Sequence, residues 1–377
     1  MRYLDVGADK RVSKVGLGTH QFGSAEWGYG ERYAGREART IVRRALDLGV
    51  TLFDTAEIYG FQANRMACRA LVEGVALADV ARIPGFGLSE QILGQALGEQ
   101  RDEAFLATKV YPALPAVAVP EQRAVASANR LQTGYLDLYQ VHQPVHLPPA
   151  GAVMRGMRAL QKAGIVSEVG VSNASLAQWL AAERALGGRV LSNQVGYSLI
   201  TRSAEQDLLP FAESRGRMVI AYRPLELGLL SGRYHRGNRP VNQVRTTAPL
   251  FLPQNLERIG GLITVLRDIA AGHGATPAQV ALAWVIRHPA VAAIPGASSV
   301  EQLESNVAAA SIELTDDEYR ALQAASARFH PVPGPGFLSR QARTILGHPP
   351  GNPLSRSGRG RALGPTAVAQ LGGGWSS

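Results

Sequence analysis

Four side chains of reactive types follow apolar runs in the first half of the chain: Asp54, Tyr59, Lys109 and His142. Asp54, Lys109 and His142 each end such a run, and Tyr59 follows Asp54 by five positions. Taken singly, each has an ordinary structural explanation, such as a helix cap for Asp54 or a hydrogen-bonded core histidine for His142. Their joint position at the ends of predicted strands indicates one common site, because parallel strands of a β/α barrel end at one face.

Together these four residues suit proton transfer to a carbonyl oxygen. A tyrosine hydroxyl has an ordinary pKa near 10, which makes it a weak acid at neutral pH. We expect the Lys109 ammonium to lower the pKa of Tyr59 by stabilising its phenolate, with Asp54 keeping the lysine charged and in place. A neutral His142 can donate a hydrogen bond that orients a substrate carbonyl. This set is typical of reversible carbonyl reduction, and a cofactor must supply the hydride because side chains carry none.

Polar and aromatic residues at the later strand ends suit a nicotinamide. Ser172 and Asn173 follow the fifth predicted strand and Gln194 lies in the sixth, so their hydroxyl and amide groups can fix a carboxamide. Tyr222 ends the seventh strand and offers a flat face for stacking the ring. A Gly-x-Gly-x-x-Gly motif between a strand and a helix is absent, which excludes the usual dinucleotide fingerprint but not nicotinamide itself.

The elements that must position these residues alternate strictly between strand and helix. Predicted strands cover 15–19, 52–54, 104–109, 136–142, 165–171, 190–195, 218–222 and 291–295, and each precedes a helical pattern. Ser89 is predicted to cap a helix over 90–97, and one helix is predicted over 256–271. Strict alternation requires a parallel sheet, and eight units favour a closed barrel. The predicted fold class is α/β, a (β/α)8 TIM barrel with an N-terminal β-hairpin.

Two segments interrupt this alternation. Residues 61–87 form an insertion in the loop after the second strand, interpreted as a lid beside Tyr59, a neutral surface insertion or a gene-model artefact. Residues 330–377 are rich in Pro, Gly, Ser and Arg and are predicted to be a disordered tail, because they cannot bury enough apolar area to offset chain entropy. The predicted organisation is a barrel domain at 1–329 and a basic tail at 330–377.

The charge distribution, the lengths of the apolar runs and the cysteine content limit the partners and the compartment that can be expected for this protein. Five of the nine net positive charges come from tail arginines, which leaves four on the barrel and argues against a nucleic-acid partner. No apolar run approaches the roughly 18 residues that span a bilayer, so no membrane association is expected. The single cysteine, Cys68, and a polar N-terminus without a signal region predict a cytoplasmic protein. The expected partner is a small-molecule carbonyl substrate. The composition gives no indication of the oligomeric state.

A series of short segments matches one known family in order and at ordinary spacings, apart from the insertion. They are Gly16-Leu-Gly-Thr19, Asp54-Thr-Ala-Glu-Ile-Tyr-Gly60, Ser89-Glu-Gln-Ile-Leu-Gly94, Ala107-Thr-Lys109, Asp137-Leu-Tyr-Gln-Val-His142, Gly170-Val-Ser-Asn173, Asn193-Gln-Val195, Tyr222-Arg-Pro-Leu225, Gly228-Leu-Leu-Ser-Gly232, Thr276 to Trp284 and Ile294-Pro-Gly-Ala297. Over about residues 3–325 the chain resembles the aldo-keto reductase superfamily. It is most similar to the bacterial branch that includes potassium-channel β-subunits and sugar or pyridoxal reductases.

The resemblance implies a role for each matching position. Tyr59 would be the general acid, tuned by Lys109 and Asp54, and His142 would orient the carbonyl. The implied cofactor is NADP, with NAD as the alternative, and no metal is implied. The residues implied to contact the cofactor are Gly18, Thr19, Ser172, Asn173, Gln194, Tyr222, Arg223, Leu225, Gly296, Ala297, Ser298, Gln302 and Asn306.

One departure from the family pattern concerns the adenosine end of the cofactor. Many members carry Lys or Arg after the eighth strand to pair with the 2′-phosphate, but residues 296–306 contain two acids and no basic residue. Ser298 and Ser299 can hydrogen-bond a phosphate and Arg223 can assist them, so NADP is expected and the choice between NADP and NAD stays open. Two other functions are weighed against the reductase: a cofactor-binding sensor with little turnover, and a metal hydrolase, for which the strand ends supply too few ligands. The substrate itself is not predicted.

Overall fold

The computed structural model describes residues 1–6, 10–30, 33–60, 86–111, 118–144 and 150–333. In these residues, eight parallel strands form a curved wall and a two-stranded antiparallel hairpin precedes them. The hairpin strands are β1 (Tyr3–Asp5) and β2 (Arg11–Ser13). The parallel strands are β3 (Leu17–Gly18), β4 (Leu52–Asp54), β5 (Phe105–Val110), β6 (Leu136–Val141), β7 (Val166–Ser172), β8 (Ser192–Gly196), β9 (Met218–Tyr222) and β10 (Val291–Ala293).

The wall closes because its two outer strands pair with each other. Strands β3 to β10 are hydrogen-bonded in chain order. Across the remaining gap, Gly16 N–H donates to Ala293 O at 2.8 Å and Gly18 N–H donates to Pro295 O at 3.2 Å. This seam needs a residue without a side chain, since a Cβ on Gly18 would lie 2.7 Å from Ile294 O. The predicted (β/α)8 barrel is confirmed, and the carboxyl ends of its strands meet at one face, called the mouth below.

Helices occupy the connections between the strands. Their bounds are α1 (Gly35–Asp47), α2 (Leu88–Leu97), α3 (Ala118–Arg130), α4 (Ala150–Lys162), α5 (Leu176–Leu186), α6 (Leu208–Ser214), α7 (Gln243–Thr246), α8 (Pro253–Arg258), α9 (Gly260–Gly272), α10 (Pro277–Arg287), α11 (Val300–Ala308) and α12 (Asp316–Ala327). Several begin where the sequence supplies a reciprocal cap. The hydroxyl groups of Ser175, Thr276 and Thr315 each accept a hydrogen bond from the backbone N–H of the residue three positions later. The Gln or Glu side chain of that later residue accepts in turn from the backbone N–H of the cap residue.

The predicted cap at Ser89 is wrong. Helix α2 begins at Leu88, after Gly87 in a left-handed conformation with φ of 71°. Ser89 therefore lies inside the helix and is fully buried. Its hydroxyl lies 2.8 Å from the Thr19 hydroxyl and accepts from the Thr55 hydroxyl at 3.0 Å. The hydroxyl thus joins the chain after β3 to the chain after β4, which requires contacts that local sequence does not specify.

Two other helices differ from expectation. The single helix predicted over 256–271 is two helices, α8 and α9, which meet at Ile259. Gly260 and Gly261 follow, and glycine is a poor helix former because its backbone loses the most freedom. Helix α12 was not predicted, and it packs against α9 with Leu322 fully buried. Its burial depends on a neighbour about 50 residues earlier in the chain, which explains the omission.

The two segments set apart by sequence lie largely outside the described residues. Residues 61–85 and 334–377 are not among those described, so the lid, the disordered tail and the domain boundary at 329 stay predictions. In the part of the chain that the structure covers, no helix combines the length and the apolar character needed to cross a bilayer.

Candidate active site

A buried ion pair lies at the mouth of the barrel. Asp54 ends β4 and Lys109 lies near the end of β5, the neighbouring strand. Lys109 Nζ donates to Asp54 Oδ1 at 2.7 Å, to Asp54 Oδ2 at 2.9 Å and to Thr55 O at 2.7 Å. Both charged side chains are essentially inaccessible to water. Because desolvation of two charges is costly, this full set of hydrogen bonds is what allows the pair to be buried.

Tyr59 lies on the loop after β4, with its hydroxyl beside this pair. Lys109 Nζ is 3.4 Å from the Tyr59 hydroxyl oxygen and 4.9 Å from the ring centroid. The loop is anchored at both sides of the residue: Tyr59 N–H donates to Ala56 O at 3.0 Å, and Ser89 N–H donates to Tyr59 O at 3.3 Å. As a whole residue Tyr59 is partly exposed, whereas both charged side chains of the ion pair are buried, so Tyr59 is the member of this group nearest to solvent.

The electrostatics of Tyr59 differ from the sequence-based expectation. Burial raises the pKa of its hydroxyl well above the usual value, the Asp54 carboxylate raises it further, and Arg223 opposes both effects. The direction of the pKa shift is therefore opposite to the one expected, because burial and the Asp54 carboxylate outweigh any stabilisation of the phenolate by the nearby ammonium. Burial likewise raises the pKa of Asp54 and lowers the pKa of Lys109, and their mutual attraction opposes both shifts. Tyr59 therefore keeps its proton at neutral pH.

His142 directly follows β6 and faces Tyr59 edge to face. The two ring centroids are 5.8 Å apart with an interplanar angle of 82°. Its backbone is fixed on both sides, since His142 N–H donates to Val110 O at 2.9 Å and His142 O accepts from Asn173 Nδ2 at 3.2 Å. The structure therefore brings all four predicted catalytic residues to one place.

A second histidine at the site was missed by sequence reasoning. The His20 ring centroid lies 4.7 Å from that of Tyr59 at an interplanar angle of 87°, on the exposed side of the mouth. Trp27 lies next to it, with centroids 6.2 Å apart. His20 belongs to the loop after β3 and does not itself end an apolar run. The available signal was its place directly after Gly-Leu-Gly-Thr, one of the family segments.

The residues predicted to hold the nicotinamide form one hydrogen-bonded chain across β7, β8 and β9. Ser172 Oγ donates to Gln194 O at 2.9 Å, Asn173 Nδ2 donates to Ser172 Oγ at 3.1 Å, and the Tyr222 hydroxyl donates to Asn173 Oδ1 at 2.8 Å. Gln194 has a further role, because its Nε2 donates to Asp54 Oδ2 at 2.7 Å. Its amide nitrogen therefore supports the buried ion pair in this structure.

The loop after β9 has an unusual backbone. Arg223, Glu226 and Leu227 have φ values of 52°, 45° and 58°. This left-handed region is uncommon for residues with a side chain, and such strain concentrates at functional sites. The buried Glu226 carboxylate accepts from the Ser198 hydroxyl at 2.8 Å and from the Thr201 hydroxyl, which fixes the turn.

The segment after β10 carries the predicted adenosine contacts. Gly296 pairs with Gly18, so these two predicted residues lie side by side. Ser298 N–H donates to Gln302 Oε1 at 3.0 Å, and Asn306 Nδ2 donates to Gly296 O at 3.3 Å. The predicted residues are thus brought together, and their polar groups bond to one another and to the backbone.

Two other predicted cofactor residues are engaged in packing. The Thr19 side chain is fully buried and its hydroxyl donates to Asp54 O at 2.9 Å. The Leu225 side chain packs against the main core, which leaves its backbone as the part available to a ligand. Sequence reasoning missed Gln21, whose Nε2 donates to Ala297 O at 2.7 Å and connects the loop after β3 to the adenosine segment.

Beside the Tyr59 loop, two buried ion pairs were also missed. Glu57 Oε2 accepts from Arg123 Nε at 2.7 Å, and Glu90 Oε2 accepts from Arg130 Nε at 2.6 Å. Glu57 Oε1 also accepts from the Tyr111 N–H at 2.6 Å, so one carboxylate joins the loop after β4 to the chain after β5. Both glutamates lie within family segments, which was the signal that sequence reasoning did not use.

Glu57 gives the stability of the protein a pH dependence of known sign. Burial raises its pKa from 4.5 to about 7, against the opposing attraction of Arg123. Below about pH 4.5 Glu57 is protonated in both states and its stabilising contribution is complete; the contribution is lost as pH rises through about 7. Its full size is on the order of 3 kcal/mol. Urea unfolding between pH 5 and 8 measures this contribution as a decline in the free energy of unfolding with rising pH. Glu57→Gln should make that decline shallower.

Glu99→Gln, a change at an exposed glutamate, is the matched control for that experiment. It should leave the decline between pH 5 and 8 as steep as in the wild-type protein. An unfolding free energy that rises over this range in the wild-type protein, or a Glu57→Gln variant that declines as steeply, would contradict the assignment to Glu57.

The fold and the site together define a (β/α)8-barrel protein with a Tyr, Lys, Asp and His set at its mouth. Among the described residues, no group of three or more His, Cys, Asp or Glu side chains is arranged to hold a metal ion. The family model described as "Aldo/keto reductase family" matches residues 14–327. The chain therefore belongs to the aldo/keto reductase family, a family of oxidoreductases, and the predicted resemblance is confirmed.

Individual relatives agree with this assignment. An uncharacterised oxidoreductase of Mycobacterium tuberculosis is 51% identical over 343 residues, which cover 91% of this chain and 98% of that protein. An aldo-keto reductase from Klebsiella pneumoniae, solved in complex with NADPH, is 28% identical with a TM-score of 0.63, over 86% of this chain and 94% of its own. A glycerol dehydrogenase from Gluconobacter oxydans is 27% identical with a TM-score of 0.72, over 89% and 98%.

Proposed function

We propose that this protein reduces aldehydes or ketones to alcohols with NADPH, and that Tyr59 is the general acid. The observation that carries the proposal is the Tyr59 hydroxyl, 3.4 Å from an ammonium group that is itself bound to Asp54. Membership in the aldo/keto reductase family and the NADPH complex of the Klebsiella relative support it.

The residues around the mouth fit a nicotinamide nucleotide. Ser172 and Asn173 offer a hydroxyl and an amide at one strand end, and Tyr222 offers a ring at another. In the adenosine segment, the absence of a side chain at Gly296 lets the Gln21 amide lie against the backbone, since a Cβ there would be 2.7 Å from Gln21 Oε1. When bound, a reduced nicotinamide supplies the hydride.

The chain itself supplies the proton and its placement. Tyr59 holds a proton at its hydroxyl because burial raises its pKa. His142, whose ring lies edge-on to Tyr59, would donate a hydrogen bond to the carbonyl oxygen of the substrate. As that oxygen gains negative charge it becomes basic enough to take the tyrosine proton. The phenolate that remains is stabilised by Lys109, 3.4 Å away, and Asp54 keeps the lysine in position.

A cofactor titration followed by a turnover assay tests this function. NADPH and NADH are titrated in parallel against protein fluorescence, and 4-nitrobenzaldehyde is then added while the absorbance of the reduced nicotinamide is followed. We expect oxidation of the cofactor, and binding of NADPH about tenfold tighter than that of NADH, equivalent to about 1.4 kcal/mol. Binding without oxidation over a broad carbonyl panel would favour the sensor function, and failure to bind either cofactor would contradict both.

A further inference from the structure

One buried acid beside the site has no part in the proposed proton transfer. Glu57 lies on the loop after β4, two residues before Tyr59, and its side chain is inaccessible to water. Its Oε1 accepts from the Tyr111 N–H at 2.6 Å and its Oε2 accepts from Arg123 Nε at 2.7 Å. Burial of a carboxylate is costly unless it is paired and hydrogen-bonded, so both contacts are needed to keep Glu57 in this position.

The contact with Tyr111 joins the two chain segments that carry the reactive pair. Tyr59 follows Glu57 by two residues, and Tyr111 follows Lys109 by two residues. The same segments also touch through their backbones, since Glu57 N–H donates to Lys109 O at 3.4 Å. That backbone contact is long for a hydrogen bond, whereas the carboxylate contact at 2.6 Å is short and charge-assisted. The carboxylate of Glu57 therefore makes the stronger of these two connections.

Tyr111 extends the same connection to His142. The Tyr111 and His142 ring centroids are 6.1 Å apart with an interplanar angle of 77°. The His142 ring also faces the ring of Tyr59. Holding the backbone of Tyr111 therefore constrains a ring that packs beside the residue expected to orient the carbonyl.

Arg123 connects Glu57 to a helix. It lies on α3 with 13% of its side chain exposed, and its guanidinium is 5.3 Å from the Phe86 ring centroid. Burial raises the pKa of Glu57 to about 7, and the attraction of Arg123 opposes that shift. The ionised carboxylate is therefore costly to the fold above that pH, and perturbed acids of this kind concentrate at functional sites.

A second buried pair on α3 contacts the outer side of the sheet. Arg130 Nε donates to Glu90 Oε2 at 2.6 Å, and Glu90 Oε1 accepts from the Thr108 hydroxyl at 2.6 Å. Successive strand residues point to opposite faces, so Thr108 faces the helices while Lys109 faces the barrel interior. The two pairs match in chemistry, helix and burial, but only Glu57 lies on the loop of the general acid.

We propose that Glu57 is a positioning residue for the proton transfer: held by Arg123, its carboxylate fixes the Tyr59 loop against the chain that follows Lys109. It acts through the distance of 3.4 Å between the Tyr59 hydroxyl and Lys109 Nζ, which sets how well the ammonium stabilises the phenolate. A misplacement of about 1 Å can cost about 10²-fold in rate. This inference rests on the proposed carbonyl reduction and adds to it a residue that acts only through its neighbours.

Two substitutions of similar side-chain length, Glu57→Met and Glu57→Gln, test the proposal. Methionine removes both acceptors, whereas glutamine keeps a carbonyl oxygen for the Tyr111 N–H. We expect Glu57→Met to lower the single-turnover rate of NADPH oxidation by 4-nitrobenzaldehyde about 10- to 100-fold, with KM for the aldehyde and the NADPH dissociation constant within about twofold. Glu57→Gln should be at least about threefold faster than Glu57→Met, because its remaining acceptor preserves the connection.

Glu90→Met is the matched control, because it removes the carboxylate of the second pair on the same helix. Both Met variants should lower the free energy of unfolding in urea, but Glu90→Met should keep the single-turnover rate within about threefold of the wild-type value. If Glu57→Met does not fold, Arg123→Met and Arg130→Met repeat the comparison, with a loss of about tenfold expected only for Arg123→Met. Equal rates in the two members of a comparison, or in Glu57→Gln and Glu57→Met, would overturn the proposal.

Crystal structures separate failure of this inference from failure of the proposed reduction. In Glu57→Met we expect the Tyr59 hydroxyl to lie about 1 Å or more farther from Lys109 Nζ than in the wild-type protein. If the wild-type protein oxidises NADPH with no carbonyl compound but this displacement is observed, the reduction fails and the connection stands. If both proteins reduce the aldehyde at the same rate with Tyr59 in the same place, the reduction stands and the positioning role is rejected.

Discussion

Tyr59→Phe is expected to lower kcat by about 10³-fold while the NADPH dissociation constant changes by less than about twofold, because general acid catalysis contributes 10²–10⁴-fold. The substitution removes one oxygen atom and leaves the ring that faces His20 and His142. The proton for the carbonyl oxygen would then have to come from water or from an imidazole. Single-turnover absorbance of NADPH measures the chemical step, and protein fluorescence measures cofactor binding.

Tyr135→Phe is the matched control for this result. Tyr135 lies just before β6, at the opposite end of that strand from the mouth, and its hydroxyl donates to Asp102 Oδ1 at 3.2 Å. The same atom is removed there, so a general effect of losing a phenol would appear in both variants. The role assigned to Tyr59 is wrong if Tyr59→Phe keeps more than a tenth of wild-type kcat, or if cofactor affinity falls as much as turnover.

Lys109→Met is expected to affect both folding and turnover. Among the described residues, it leaves the Asp54 carboxylate, 2% exposed, with the Gln194 amide as its side-chain donor in place of the two hydrogen bonds from Lys109. Removing one member of a buried ion pair typically costs 3–5 kcal/mol, because the other charge stays buried without compensation. Turnover should fall as well, since the phenolate of Tyr59 loses its counter-charge. Urea unfolding and NADPH oxidation measure the two effects.

The double variant Asp54→Asn/Lys109→Met separates these two effects. Without either charge, most of the lost unfolding free energy should return, because a neutral buried pair avoids the desolvation penalty. Turnover should stay low, since the ammonium beside Tyr59 is still missing. Lys162→Met, at an exposed lysine, controls for the loss of one positive charge. A Lys109→Met protein as stable as the wild type would contradict the coupling described for this pair.

The sequence by itself determined the barrel and the residues at its strand ends. Apolar runs separated by amphipathic helices allow only parallel strands in chain order, and parallel strands deliver their final residues to one face. That logic placed Asp54, Lys109 and His142 at a common mouth, and the structure agrees. Some helix boundaries also depend on local sequence alone, as at Ser175, whose reciprocal cap involves only the residue three positions later. The cap expected at Ser89 failed because that hydroxyl bonds across the fold.

Only the tertiary structure decided which side chains pair with which. Glu57 and Arg123 are 66 residues apart, and nothing in either segment specifies the other. The Gln194 amide turns toward Asp54, and His20 reaches Tyr59 from an irregular loop. The direction of the pKa shift of Tyr59 also depended on the tertiary structure, since burial and the nearby Asp54 carboxylate cause it. Periodicity reports which face of an element is buried, whereas charge pairing and desolvation depend on neighbours brought together by folding.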